Sequence, residues 1–118
     1  LPANVVSMRR ALLAESEQEV IEGFLATAPL KRLTNQTITD REKLRTEIER
    51  TREQGYAWVE AELDEAICGL AITVKDLEGK ALAAINISLP AGQITQEQAV
   101  EKYLGPLRRT GSTIRSAL

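Results

Sequence analysis

At 118 residues, with 27% charged side chains and a formal net charge of −2, the chain is the size of one domain with a modest core. It lacks the overall basic field that draws proteins to nucleic acid, and the absence of histidine removes the commonest general base and metal ligand. No apolar run approaches the roughly 20 residues of a membrane span and no signal peptide opens the chain, so a cytoplasmic place is expected. The start at Leu1 without a methionine suggests a piece of a longer protein.

In chain order, Leu1 to Val6 reads as an extended lead-in. Ser7 then caps a short helix from Met8 to about Ala14, with Met8, Leu12 and Leu13 inward. Ser16 and Glu19 have the spacing of a capping box, opening a second helix with the apolar stripe Val20, Ile21, Phe24 and Leu25, which Pro29 stops. Leu30 to Ile38 reads as loop or a short edge strand. Thr39 and Glu42 repeat the capping-box spacing and open a highly charged helix anchored by Leu44 and Ile48, with Gly55 as its C′ residue. Opposite charges three and four apart (Glu42 with Arg45, Lys43 with Glu47, Glu47 with Arg50) predict a solvated face, not a nucleic-acid surface.

Tyr56 to Val59 predicts a short aromatic strand. It leads into Glu60, Glu62, Asp64 and Glu65, an acidic segment without the glycine turn and distal glutamate of a calcium loop, and hence expected to be solvated. Next come two apolar runs, Ala66 to Lys75 and Lys80 to Pro90, split by Asp76-Leu77-Glu78-Gly79. This is the signature of a β-hairpin with a loop of about four residues. Closing it at that loop puts Lys75 opposite Lys80, Gly69 opposite Asn86 and Ile67 opposite Ser88. Alternation then places Ala83, Ile85, Ile87 and Leu89 on one face and Leu82, Ala84, Asn86 and Ser88 on the other. Two polar side chains beside a glycine, at one end of an apolar face, suit a small polar ligand.

Cys68, the single cysteine, lies within a strand, where a small buried side chain is expected. Thr95 and Gln98 form a third capping box before a C-terminal helix reaching about Leu118. Val100, Tyr103, Leu104, Leu107, Ile114 and Leu118 keep helical spacing, and Gly105-Pro106 should kink or split it. Arg108, Arg109 and Arg115 are expected on an exposed face or as dipole partners. There is no Ser/His or Cys/His pairing, phosphate loop or metal-spaced ligand set, so catalysis has no support. The residues by themselves describe an α+β domain, helices on an antiparallel sheet, with a polar-tipped ligand pocket.

Several ordered motifs extend this. Leu1-Pro2, Ser7-Met8 and Arg10-Ala11-Leu12-Leu13-Ala14 resemble the pattern LPA…SMGRALLA. Thr37-Ile38-Thr39-Asp40, Leu44 and Gln54-Gly55-Tyr56 resemble TITD…L…QGY, and the hairpin ending Ile87-Ser88-Leu89-Pro90 resembles IAAPV…AALSVSGP. Together, over nearly the whole chain, they resemble the effector-binding domain of IclR-family bacterial transcription regulators. Ala91 to Leu118 points to the branch governing protocatechuate and β-ketoadipate catabolism (the PcaR, PcaU and PobR type). The resemblance implies a GAF-like (profilin-like) fold lacking its first elements. It further implies a small organic acid as effector, no cofactor, assembly as dimers or tetramers, and DNA binding through a winged helix-turn-helix outside this chain.

Carried over residue by residue, the family's ligand contacts fall on Ser7, Met8, Val59, Gly69, Asn86 and Ser88. Arg9 stands where the family has glycine, Asn86 and Leu89 where it has serine and glycine, and Val59 where some members have an acidic residue. An acid effector needs positive potential, for which the start of the Ser7 helix and the guanidinium of Arg9 are the candidates. Arg9 in solvent, or paired with Glu15 or Glu17, is the bland alternative. A structural oligomerisation domain with no ligand is the competing function.

Overall fold

The computed structural model describes residues 3–117; Leu1, Pro2 and Leu118 lie outside it. Three antiparallel strands, β1 (Ala57–Glu60), β2 (Ile67–Lys75) and β3 (Ala81–Pro90), form one sheet in the order β1-β2-β3. Helix α1 (Ala3–Ala14) lies across one face, with α2 (Gln18–Thr27) and α3 (Arg41–Gln54) behind it. A C-terminal helical segment covers the other face: α4 (Gln96–Ala99), a π-helical turn over Val100–Leu104, and α5 (Gly105–Ser116). This is an α+β fold, an open antiparallel sheet flanked by helices.

Helix α1 begins at Ala3, so the expected extended lead-in is helical from there and Ser7 is an interior residue, not a cap. Nothing between Ala3 and Ala14 breaks a helix, and Ser7 is fully buried against the sheet. The capping box at Ser16 does not form. Its hydroxyl instead donates to the Leu12 carbonyl in the last turn of α1, which also accepts from the Glu15 N–H, and Glu17 takes the N-cap position of α2 without a side-chain bond. At α3 the cap moves one residue from the expected Thr39 to Asp40, whose carboxylate accepts from the Glu42 N–H. Gly55 ends that helix at φ 82°, a left-handed conformation that favours glycine. Leu30 to Ile38 is loop.

Two core clusters result. One joins Ala14, Ile21, Leu25, Ile38, Leu44 and Ile48 among the three N-terminal helices. The other is small: Ala11 of α1 against Ala57 and Ala71 of the sheet, with Met8 beside them. Of the expected α2 stripe Val20 stays 54% exposed, and Glu47 pairs with Arg50, not Lys43. The Thr95 capping box is complete on both sides. Pro106 has no N–H to continue the α-helical ladder, and the π turn just before it absorbs that irregularity. Gly111 then lets α5 settle on the sheet, with Ile72 Cδ1 3.4 Å from where a Cβ would sit.

The hairpin register differs by two residues from the one expected. Gly69 faces Ser88, Ala71 faces Asn86 and Ile67 faces Pro90. The cause is local. The Asp76 carboxylate accepts from the N–H groups of both Glu78 and Lys80, while the Asp76 N–H donates to the Lys80 carbonyl, so the loop takes in Lys80. Lys75 then faces Ala81, and because Val74 faces Ala83, Leu82 is left as a bulge residue. Beyond the bulge, from Ala83 to Pro90, the shift of two keeps the side chains on their expected faces.

Candidate functional site

Gly69 sits in the middle strand, between Val59 of β1 and Ser88 of β3. Alternation along the strands puts Val59, Gly69, Ser88 and, two positions along, Asn86 on the face that α1 covers. The helix comes close because Gly69 has no side chain: Ser7 Oγ lies 2.8 Å and Ser7 Cβ 3.0 Å from where a Gly69 Cβ would be. Ser7, Val59 and Gly69 are buried, Asn86 is half-buried and Ser88 is exposed. Asn86 Nδ2 reaches Ser88 Oγ at 3.5 Å. The result is a polar strip leading from the protein surface to a buried serine on helix α1.

Met8 and Arg9 stand differently. Met8 packs beside Ala11, Ala57 and Ala71 and, with Arg9, Leu12 and Ala84, borders a shallow surface depression. Arg9 is exposed. Their backbone N–H groups lie within α1, well past its first turn, so the expected anion-binding helix terminus is not at these residues. Arg9 pairs with neither Glu15 nor Glu17; Glu15 pairs with Lys75 at 3.2 Å.

A polar link that sequence spacing did not suggest joins α1 to the acidic segment. Arg10 donates through both terminal nitrogens to Glu62, at 2.9 and 2.7 Å, with the two side chains 6% and 13% exposed. Glu62 is therefore not the solvated side chain expected of that segment. Arg10 lies in the middle of α1, and no local spacing connects it to Glu62, which is 52 residues away. Two threonines complete the link. Thr34 Oγ1 donates to the Ala61 carbonyl at 2.6 Å and Thr37 Oγ1 to the Glu62 carbonyl at 2.5 Å. They hold Ala61 at φ 51°, a left-handed conformation uncommon for a residue with a Cβ.

Cys68 is fully buried on the opposite face. Burial pushes its thiol pKa up, and the nearby Glu60 carboxylate adds to the effect, so it is a poor nucleophile. Among the described residues no group of His, Cys, Asp and Glu could hold a metal ion, and no helix is long and apolar enough to cross a membrane. What this geometry offers is non-covalent recognition.

A second concavity opens on the far side of α1. It is a cleft of about 360 Å³ among α1, α2, α3 and the loop after α2, lined by Leu13, Phe24, Leu30, Leu44 and Ile48, with Arg9, Arg10, Lys31 and Glu62 among its polar residues.

Comparison with known proteins places these features. The sequence model of the family described as bacterial transcriptional regulator IclR C-terminal matches residues 1–116. The Pca regulon regulatory protein of Pseudomonas putida is 35% identical over 88% of this chain and 36% of its own length. The HTH-type transcriptional repressor AllR of Salmonella typhi is 34% identical over all of this chain and 43% of its own. The chain thus spans well under half the length of these relatives, which are transcriptional regulators and not enzymes. Among solved structures, a double mutant of the PobR inducer-binding domain from Acinetobacter, in complex with 3-hydroxybenzoic acid, superposes with a TM-score of 0.88. It is 26% identical, and the match covers 100% of this chain and 67% of that one. A transcriptional regulator of Rhodococcus sp. RHA1 superposes with a TM-score of 0.87 at 33% identity, over 98% of this chain and 47% of that one. On the strength of the family match along almost its entire length, this chain belongs to the IclR-family bacterial transcriptional regulators, as C-terminal domain sequence.

Proposed function

We propose that this chain is the effector-sensing part of a bacterial transcription regulator, and that its effector is a small organic acid: an aromatic acid such as protocatechuate, or a dicarboxylate such as β-ketoadipate. The observation that carries the reading is the fold match, over the full chain, to an inducer-binding domain solved with a hydroxybenzoate. The matching Pca regulator supports the chemical class. The proposed contacts are Ser7, Met8, Val59, Gly69, Asn86 and Ser88, with Arg9 as a carboxylate partner at the margin of the strip. Binding is coupled to DNA through a DNA-binding domain outside this chain. The regulator works as a homo-oligomer in the bacterial cytoplasm, and the outer edges of β1 and β3, unpaired among the described residues, are the surfaces open to association.

A ligand that binds only the native state raises its apparent stability, by about 2.7 kcal/mol at a hundredfold excess over Kd. Thermal-shift titration with 3-hydroxybenzoate, protocatechuate and β-ketoadipate is therefore the direct test. Asn86→Ala and Ser88→Ala should leave the melting temperature of the free protein nearly unchanged and weaken the effector by roughly 1 kcal/mol or more each, the value of a desolvated hydrogen bond. Unchanged titrations in both variants would remove the strip as the site. One feature favours the competing reading, an oligomerisation domain with no ligand: the buried Ser7 side chain already fills the space above Gly69. Absence of a shift with every acid, in a chain that still self-associates, would establish that alternative.

A further inference from the structure

We infer that the cleft on the far side of α1 is a second ligand site, for an amphipathic monocarboxylate with an aliphatic or aryl chain. Its volume, about 360 Å³, lies within the range of small-molecule pockets. Its walls are the open side of the helical core, where Leu13, Phe24 and Leu30 pack only partly buried. Such a surface takes an apolar body.

The charge at its rim selects the head group. Arg10 lines the cleft but both its terminal nitrogens are engaged by Glu62. Those same bonds occupy both oxygens of Glu62, the carboxylate in the lining. The other arginines nearby are also engaged: Arg41 donates to the carbonyls of Leu25 and Ala28, closing the end of α2, and Arg32 to those of Thr34 and Asn35. Arg9 and Lys31 remain. Both are exposed, both line the cleft, and among the described residues neither makes a hydrogen bond or ion pair. An apolar trough with two uncommitted cations and a neutralised carboxylate is complementary to a hydrocarbon chain ending in one carboxylate. A dicarboxylate fits poorly, because its second charge would lie against leucine and phenylalanine. The ligand preference is therefore distinct from that of the polar strip across the helix.

Octanoate is the probe, titrated by calorimetry into the chain and into two variants whose folding is checked by circular dichroism. Saturable binding is expected. The charge reversal Arg9→Glu with Lys31→Glu, at two exposed positions, should weaken it at least tenfold, and Ser88→Ala should leave it unchanged. Octanol, which has the same chain without the charge, should bind at least tenfold more weakly than octanoate. No saturation in the folded chain, equal affinity after charge reversal, or equal affinity for octanol would overturn the site. Loss of octanoate binding in Ser88→Ala would assign the probe to the polar strip and overturn it as well. Because Arg9 borders both sites, it is the Ser88→Ala variant that separates the cleft from the strip, and its readout does not depend on whether hydroxybenzoate binds.

Discussion

The two sides of helix α1 show how side-chain size decides what a helix can do against its neighbours. Toward the sheet, α1 presents Ser7 and Ala11, both buried, and meets Gly69, Ala57 and Ala71. Small residues on both surfaces let the helix approach until a serine hydroxyl lies 2.8 Å from where a Gly69 Cβ would be. Toward α2 and α3 it presents Ala14 and Leu13 to the helical core, and beside that core Leu13 and the two arginines line a cleft. Close contact fills the space above Gly69, and the proposed ligand contacts lie along the polar strip at its edge. The cleft leaves room for an apolar guest.

The largest effect expected from testing this contrast is at Glu62. Replacing it with alanine leaves Arg10 as a buried charge without its partner, and breaking a buried pair typically costs about 3 kcal/mol or more. Chemical denaturation should report a loss of that order. A loss under about 0.5 kcal/mol would mean that the pair is no more than a surface contact.

Next in size is Gly69→Ala, which should cost about 2 kcal/mol by overpacking against Ser7. Adding Ser7→Gly should recover part of that, even though a glycine within a helix costs about 1 kcal/mol by itself. If the double variant is no more stable than Gly69→Ala alone, the tight side of α1 is not governed by this contact. Effector binding gives a second readout, since both residues belong to the proposed strip.

The smallest effect is electrostatic and tests the helical layer behind the cleft. The Glu22 carboxyl is held below the ordinary glutamate range by its hydrogen bond from Arg45, then by that from Gln18. A depressed folded-state pKa contributes stability that is present above the unfolded value and is lost as pH falls through the folded value. Stability should therefore decline slightly more on acidification in the parent than in Glu22→Gln, over the range below pH about 4.3. Because the pair is exposed, the difference should be small and should shrink with salt. Parallel curves for the two proteins would show that the α2–α3 link contributes nothing.

Local spacing made much of this domain legible. Asn86 and Ser88 share a face with Gly69 because strand side chains alternate, which holds equally in a register two residues away. Gly55 ends α3 and Thr95 caps α4 because the conformations or hydrogen bonds involved span only a few residues. Cys68 was expected to be buried, and it is, because an apolar strand in the middle of a sheet has no exposed face.

The sequence by itself determined the strand faces, most helix limits and, through ordered motifs, the family. Tertiary structure decided the rest, because those features depend on partners far apart along the chain. Ser7 is an interior helix residue because Gly69 offers it a place to pack, although its spacing reads as a cap. Glu62 leaves solvent because Arg10 reaches it from α1 and Thr37 holds its carbonyl. The cleft is lined by residues of α1, α2, α3, the loop after α2 and the segment after β1, a convergence of distant segments that no short-range pattern encodes.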